Sequence, residues 1–325
     1  MPHLPDIPLH DGTPHDLIAR EPVKLADLLR IAERSYSGPV IRLGDAVSRR
    51  WLRLAANPYL AELEAIAGAL GRPGVHLLNV SYEWACTSSA SPDPQGGSRL
   101  LRVLDWKLDG LGRNLVVLRQ HGPAGVFYNV TWPGFVGVLT AMAPGRFSAA
   151  INQPPLRSFG LPLPLAWVVN KRRLWQSLAV PPAHLLRQVF EQAPTYAEAK
   201  RRLCETPLCL PVFFTLSGTA PGEGCVIERV EGRCHVHEGP AAVANHWLAL
   251  REGGAPRGRD SAGRHRRMCS VMAAAQPDLS WLQPPILNPD TRLIVDANAA
   301  HGRLIAQGWE SHGPVTAVFD LACAS

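Results

Sequence analysis

The rhythm of apolar positions changes several times along this chain. Between residues 22 and 36, Leu25, Leu28, Leu29 and Ala32 recur at helical spacing, which predicts an amphipathic helix. A second helical stretch is predicted over 43–71, with Asp45 capping its start, Pro58 breaking or restarting it and Gly71 stopping it. The run over 75–85 stays apolar, so the first 85 residues read as mainly helical. At Cys86 the texture shifts. Short apolar runs at 99–106, 114–120, 125–132, 134–143 and 146–152 are divided by Gly/Pro turns, the pattern of an antiparallel meander. Helical period returns over 163–204 in three segments. Strands are predicted again at 210–219, 223–230, 233–239 and 241–247, a helix at 261–275, and strands at 291–299, 301–309 and 314–322. Strands clustered apart from helices predict an α+β fold, two antiparallel sheets with helices packed outside. Residues 1–20, rich in Pro and His without period, predict a loose arm.

Composition narrows the class. The 325 residues are 46% hydrophobic and 18% charged, enough to bury a full core. No run approaches the ~18 apolar residues of a membrane span. The N-terminus shows neither a basic nor an apolar leader region, which predicts no secretory signal. The 7 cysteines are odd in number and scattered, which suits free thiols in a reducing compartment. A cytoplasmic location is therefore expected, and the sequons at Asn79 and Asn129 read as incidental. The net charge of +6 is concentrated in the arginine-rich run 257–267. No aromatics interleave it, so a nucleic-acid partner is not expected.

The stretch "EWACTSSASPDPQGGSRLLRVLDWKLDG" carries the candidate chemistry. A cysteine taken alone is most often a small buried hydrophobe. Cys86, however, is followed by Thr87, Ser88 and Ser89, polar where a core strand should be apolar. The turn "PDPQGG" lets the next run pair back as a hairpin, bringing Arg102 and Asp105 opposite or beside Cys86. Their odd spacing puts them on opposite faces of an ideal strand, so a bulge or a strand end is needed for both to serve one site. A nearby Arg lowers a thiol pKa. No histidine stands close in sequence. Cleavage before Cys86 would supply a base, because an α-amino group titrates near ~7.7–8. Asp105 would hold that amine.

Other features read as structural. In "CHVHE" (234–238) a strand would leave His235 and His237 on one face and Cys234 on the other, short of the four ligands of structural zinc; no metal is expected. "GTAPGEG" (218–224) lacks the Lys-Ser/Thr of a phosphate loop and reads as a hairpin. Cys204 and Cys209 suggest neither a metal site nor a redox pair. Taken alone, Asn245 reads as a turn residue, Arg264 as one of a solvated run in which Arg259 is its rival, and Tyr82, Glu83 and Trp84 as core and cap.

The motif resembles the start of the mature subunit in N-terminal-nucleophile hydrolases of the choloylglycine hydrolase and acid ceramidase group, and is similar in particular to that of acid ceramidase and N-acylethanolamine acid amidase. "LLNVSYEWACTS", "TWPGFVGVLTAMAPGRFSAAIN", "FFTLSGTAPGEGCVIER", "VANHW" and "ILNPDTRLIVDANAAHGRL" are similar to segments of that group in the same order. The resemblance implies a four-layer αββα sandwich and self-cleavage between Ala85 and Cys86. Residues 1–85 would become a small helical subunit that stays as partner to a catalytic domain, 86–325. Cys86 would be nucleophile and, through its new amine, base. Arg102 would stabilise the thiolate, Asp105 bind the amine, Asn245 donate to the oxyanion and Arg264 support the nucleophile. Asn152 would lie near the oxyanion or substrate, although Gln153-Pro154-Pro155 stands where the acid amidases carry a Glu. The implied activity is hydrolysis of N-acyl amides, fatty-acyl amides foremost, without cofactor or metal. Helix residues Trp167 and Trp175 could line an acyl pocket or pack the core. Two other readings stand beside it. One is a penicillin-V, bile-salt or acyl-homoserine-lactone acylase, or an acyltransferase, on the same scaffold. The other is an uncleaved, silent lipid-binding relative.

Overall fold

The computed structural model describes residues 4–81, 84–274 and 278–324. Tyr82 and Glu83 of the motif, residues 1–3 of the arm and Ala275 of the predicted helix lie outside them. The chain runs β1 (Leu9–Asp11), α1 (Asp16–Arg20), α2 (Pro22–Ser35), α3 (Gly38–Leu54), α4 (Leu60–Leu70) and α5 (Val75–Asn79) before the motif. Next come β2 (Ala85–Pro92), β3 (Ser98–Asp105), β4 (Val116–Gly122), β5 (Gly125–Thr131), β6 (Thr140–Ala143) and β7 (Phe147–Asn152). Three helices follow, α6 (Leu163–Gln176), α7 (Pro182–Gln192) and α8 (Tyr196–Glu205). Then come β8 (Val212–Ser217), β9 (Gly224–Val230), β10 (Arg233–Glu238), β11 (Ala241–Val243) and α9 (Ser261–Val271). The chain closes with β12 (Thr291–Asn298), β13 (Arg303–Glu310), β14 (Gly313–Pro314), β15 (Phe319–Asp320) and α10 (Leu321–Ala324).

One sheet has the order β1-β4-β5-β6-β7-β8-β9-β10, the other β11-β2-β3-β12-β13-β14. The sheets meet through β2 and β3 against β7, β8 and β9, and through β12 against β6 and β7. Helices α7 and α8 cover the first sheet and α9 the second, which makes the four layers αββα. Facing side chains such as Leu100, Leu104, Val295, Ala150 and Met142 fill the buried space between. A second cluster, Trp51, Leu63, Ile66 and Val75 with Leu174 of α6, packs the N-terminal helices onto the body. No helix among the described residues is long and apolar enough to cross a membrane.

Four expectations are corrected. The N-terminal arm is not loose: β1 pairs in parallel with β4 (Leu9 opposite Val117), and Ile7 and Leu17 are buried. Backbone pairing and a few apolar anchors order it where its composition shows no period. Asp45 does not cap the start of its own helix, because α3 starts at Gly38 with Pro39 in its first turn. Its carboxylate instead accepts from the backbone N–H of His76 (2.8 Å) and Leu77 (3.1 Å), the first turn of α5. The runs 134–143 and 241–247 pair only over Thr140–Ala143 and Ala241–Val243, since Gly134 and Gly137 and the segment after Val243 leave the sheet ladder. The final run is two short pairings and a helical turn rather than one strand.

Candidate active site

The hairpin β2–β3 runs in unbroken register, with Ala85 opposite Asp105, Cys86 opposite Leu104 and Ser88 opposite Arg102. Paired residues share a face, so Cys86, Ser88 and Arg102 face the other sheet while Thr87 and Asp105 face α9. The opposite faces expected from the odd spacing are therefore retained. Asp105 reaches the site because it ends β3. Beside it, the pairing of β12 shifts between Thr291 and Leu293, which seats Thr291 against Asp105.

On the inter-sheet face, Ser88 Oγ donates to Asn152 Oδ1 (2.9 Å) and pairs with Thr215 Oγ1 (2.7 Å). Arg102 donates through Nε to Thr140 Oγ1 (3.1 Å) and through Nη1 to Asn152 Oδ1 (3.2 Å). Its Nη2 is buried with no hydrogen-bond partner. Asn152 Nδ2 donates to the carbonyls of Val243 (3.1 Å) and Ala244 (3.2 Å). The Asn152 amide is thus spent on holding Ser88, Arg102 and the β11 end in place. Both ends of the amide are engaged within the protein in the uncleaved chain.

The opposite face is organised by Arg264, fully buried in the first turn of α9. Asp260 caps that turn by accepting from Gly263 N (2.9 Å), and Ser261 Oγ accepts from Asn245 N (2.8 Å). Arg264 Nη1 donates to the Cys86 carbonyl (2.5 Å) and Thr87 Oγ1 (2.8 Å) and lies 3.4 Å from Asp105 Oδ2. Its Nη2 donates to Asn245 Oδ1 (2.8 Å). Asn245 Oδ1 also accepts from Cys86 N (2.9 Å), while its Nδ2 donates to the Gln153 carbonyl (2.7 Å). Asp105 Oδ1 accepts from Thr291 Oγ1 (3.0 Å), and Oδ2 has no hydrogen bond. The rival Arg259 is exposed and pairs with Asp290.

Four of the sequence-derived residues thus meet at Cys86, with Arg102 on its side-chain face and Asp105, Asn245 and Arg264 about its backbone. The sequence reading missed Thr140, Thr215, Ser261 and Thr291, which lie far away in the chain and carry no local signal. Ser88 was foreshadowed only by the polarity of its strand. Gly258 was also missed: a Cβ there would sit 2.4 Å from the Ala85 Cβ and 2.9 Å from Arg264 Nη2.

Burial pushes the Cys86 thiol up to about 11, although the Arg102 guanidinium pulls it down. Burial also raises the Asp105 carboxyl against the pull of Arg264. Thiol and carboxyl both resist charging until another cation arrives.

A cavity of ≈ 260 Å³ opens at Ala85 and Asp105, walled by Tyr36, Trp106, Lys107 and Gly258. Through Tyr36, Trp106 and Leu108 it adjoins an apolar cavity of ≈ 140 Å³ between α2 and the 106–135 segment, lined by Leu25, Leu28, Ile31, Trp132 and Phe135. Through Lys107 and Gly258 it adjoins a more polar cavity of ≈ 390 Å³ that includes Gln153, Asn170 and Arg257. Trp167 and Leu174 of α6 line that cavity and Trp175 packs against the N-terminal cluster, while the apolar cavity is walled by α2.

Residues 86–246 match the model of the linear amide C–N hydrolases, choloylglycine hydrolase family; the match begins at Cys86. Acid ceramidase of Heterocephalus glaber is 30% identical over 213 residues, 59% of this chain and 52% of that protein. Acid ceramidase of Mus musculus is 29% identical over 245 residues, 66% of this chain and 59% of that protein. The chain spans about half the length of the first of these curated relatives. Among solved structures, a Caenorhabditis elegans N-acylethanolamine-hydrolyzing acid amidase ortholog superposes with a TM-score of 0.53 at 18% identity, covering 66% of this chain and 93% of that one. At that identity the likeness speaks for the fold.

Proposed function

For a chain whose residues 86–246 match the choloylglycine hydrolase family of linear amide C–N hydrolases, we propose an amidase whose nucleophile is made by cleavage at Ala85–Cys86. The observation that carries this reading is Cys86 itself. It stands where the family match begins, with buried Arg102 on its side-chain face and Asp105, Asn245 and Arg264 about its backbone. In the maturation step, Sγ attacks the Ala85 carbonyl and the amide nitrogen departs as an amine. Water hydrolyses the resulting thioester. The products are the Ala85 carboxylate and a Cys86 with free thiol and free α-amine, in a small 1–85 subunit and a catalytic 86–325 subunit.

The mature site then works on an N-acyl amide. The α-amine takes the thiol proton, and the thiolate, facing the Arg102 charge, attacks the substrate carbonyl. Asn245 Nδ2 donates to the oxyanion after exchanging the Gln153 carbonyl for it, its other end held by Arg264. The ammonium returns its proton to the leaving amine. Water then cleaves the acyl-thioester with the amine as base. Asp105 Oδ2, buried and without a hydrogen bond in the uncleaved chain, receives the ammonium, which adds a further cation to those of Arg102 and Arg264 beside Cys86 and Asp105. The apolar branch behind Trp106 suits a fatty-acyl chain, and the polar branch the amine. No step calls for a cofactor or metal.

Mass spectrometry of the purified protein tests the cleavage; the expected result is two chains, the larger starting at Cys86. A panel of a long-chain N-acylethanolamine, a conjugated bile salt and penicillin V tests the substrate, with the first expected to turn over fastest. Preference for either of the others replaces the fatty-amide reading with the acylase reading. An intact chain that binds lipid and hydrolyses nothing, or a Cys86→Ala variant that keeps amidase activity, overturns the mechanism.

A further inference from the structure

Far along the sequence from the nucleophile, α8 is fastened to the edge strand β10 at two levels. Lys200 pairs with Glu238 at one level. At the other, one turn further along the helix and two residue pairs back along the strand, Cys204 and Cys234 lie on the same facing sides of helix and strand as that ion pair. Arg229, opposite Cys234 in the β9–β10 register, reaches across to the helix end. It donates to the carbonyls of Leu203 and Thr206 (the latter 2.9 Å), and its Nε is buried without a partner. Helix, strand and buried cation therefore hold the two sulfurs together. Cys234 is exposed, Cys204 half-buried and Cys225, the third thiol nearby, buried beneath them.

We propose that Cys204 and Cys234 form a thiol–disulfide couple that reacts with small disulfides of the glutathione type. The Cys234 thiolate attacks the small disulfide, forming a mixed disulfide and expelling one thiolate. Cys204 loses its proton to solvent and attacks the Cys234 sulfur, expelling the second thiolate. Two protein thiols are oxidised to one disulfide while one small disulfide is reduced to two thiols. Exposure makes Cys234 the attacking group and leaves Cys204 to resolve. The charge distribution agrees: the neighbouring Cys204 thiol and Arg229 bring Cys234 down to about 7, against the pull of burial, while the neighbouring Cys234 and burial push Cys204 up. Cys269, exposed as well, has its thiol raised by burial and serves as a control within the same protein.

The test incubates the folded full chain with oxidised glutathione and maps the products by peptide mass spectrometry without reduction. The expected product is a Cys204–Cys234 bridge, formed at least tenfold faster than any adduct at Cys269, at a rate that rises with pH to a plateau above about 7. Cys204→Ser should arrest the reaction at a glutathione adduct on Cys234. Four results overturn the proposal: a lasting adduct on Cys234 in the wild-type chain, a bridge through Cys225 instead, a rate no greater than that of Cys269, or bridge formation unaffected by pH between 6 and 8.

Discussion

At the scale of single residues, the site places charge before it places reactivity. Arg102 and Arg264 are both fully buried, with Asp105 the carboxylate beside Arg264. A buried guanidinium without a carboxylate is costly, and the arrangement persists because Arg102 is hydrogen-bonded by Thr140 and Asn152 and lies beside a group that can become anionic. The Cys86 thiol, at about 11, is nearly all protonated at neutral pH in the uncleaved chain. If its thiolate starts the cleavage, the rate in freshly synthesised chain rises about tenfold per pH unit from 7 to 9, because the thiolate fraction does. Arg102→Gln removes the attraction that holds the thiol down and should slow cleavage by about tenfold or more at each pH. A denaturing-gel time course reads both outcomes, and a pH-independent rate would assign the attack to another group.

At the scale of elements, the N-terminal helices depend on side chains that reach between them. The last helix before the motif is the short α5, whose first-turn N–H groups have no intrahelical acceptor. Asp45 of α3 caps them from 31 residues away, and Oδ2 also lies 3.2 Å from His76 Nδ1. Asp45→Ala leaves those donors buried and unsatisfied. In a Cys86→Ala background that keeps one chain, it should lower the unfolding free energy by about 1–2 kcal/mol. Denaturant titration measures the change, and a loss below about 0.3 kcal/mol would show that α5 holds without the cap. Element types were largely legible from the apolar rhythm: the hairpin at the motif, the meander and the helices over 163–204 stand where period and turns put them. Ends and caps were not, because they depend on partners such as His76 that lie outside any local window.

At the scale of the whole molecule, the proposed cut does not free the N-terminal segment. That segment contributes β1 to the larger sheet, buries Ile7 and Leu17 on the body and forms one wall of the apolar cavity through α2. Each fully buried aliphatic side chain is worth about 1.5–3 kcal/mol, and many are shared across the cut. The two fragments should therefore co-elute in gel filtration and separate only in denaturant; separation in native buffer would contradict this seam. Residue-level legibility follows the same logic. Cys86, Arg102 and Asp105 could be related from sequence because one hairpin carries all three. Asn245 and Arg264 came only through family resemblance, and Thr140, Thr215 and Thr291 not at all.

What the sequence by itself determined is the set of local objects: helices and strands from apolar period, turns from Gly and Pro, and a cysteine set in a polar strand beside an Arg and an Asp. The tertiary structure alone decided which distant groups close on that cysteine, that α2 rather than α6 walls the apolar cavity, and that α8 presents Cys204 to the strand that carries Cys234. The physical reason is range. Backbone period and turn chemistry act over a few residues, whereas hydrogen bonds and buried charges are settled only when two sheets pack face to face and fix which side chains share the same dry space.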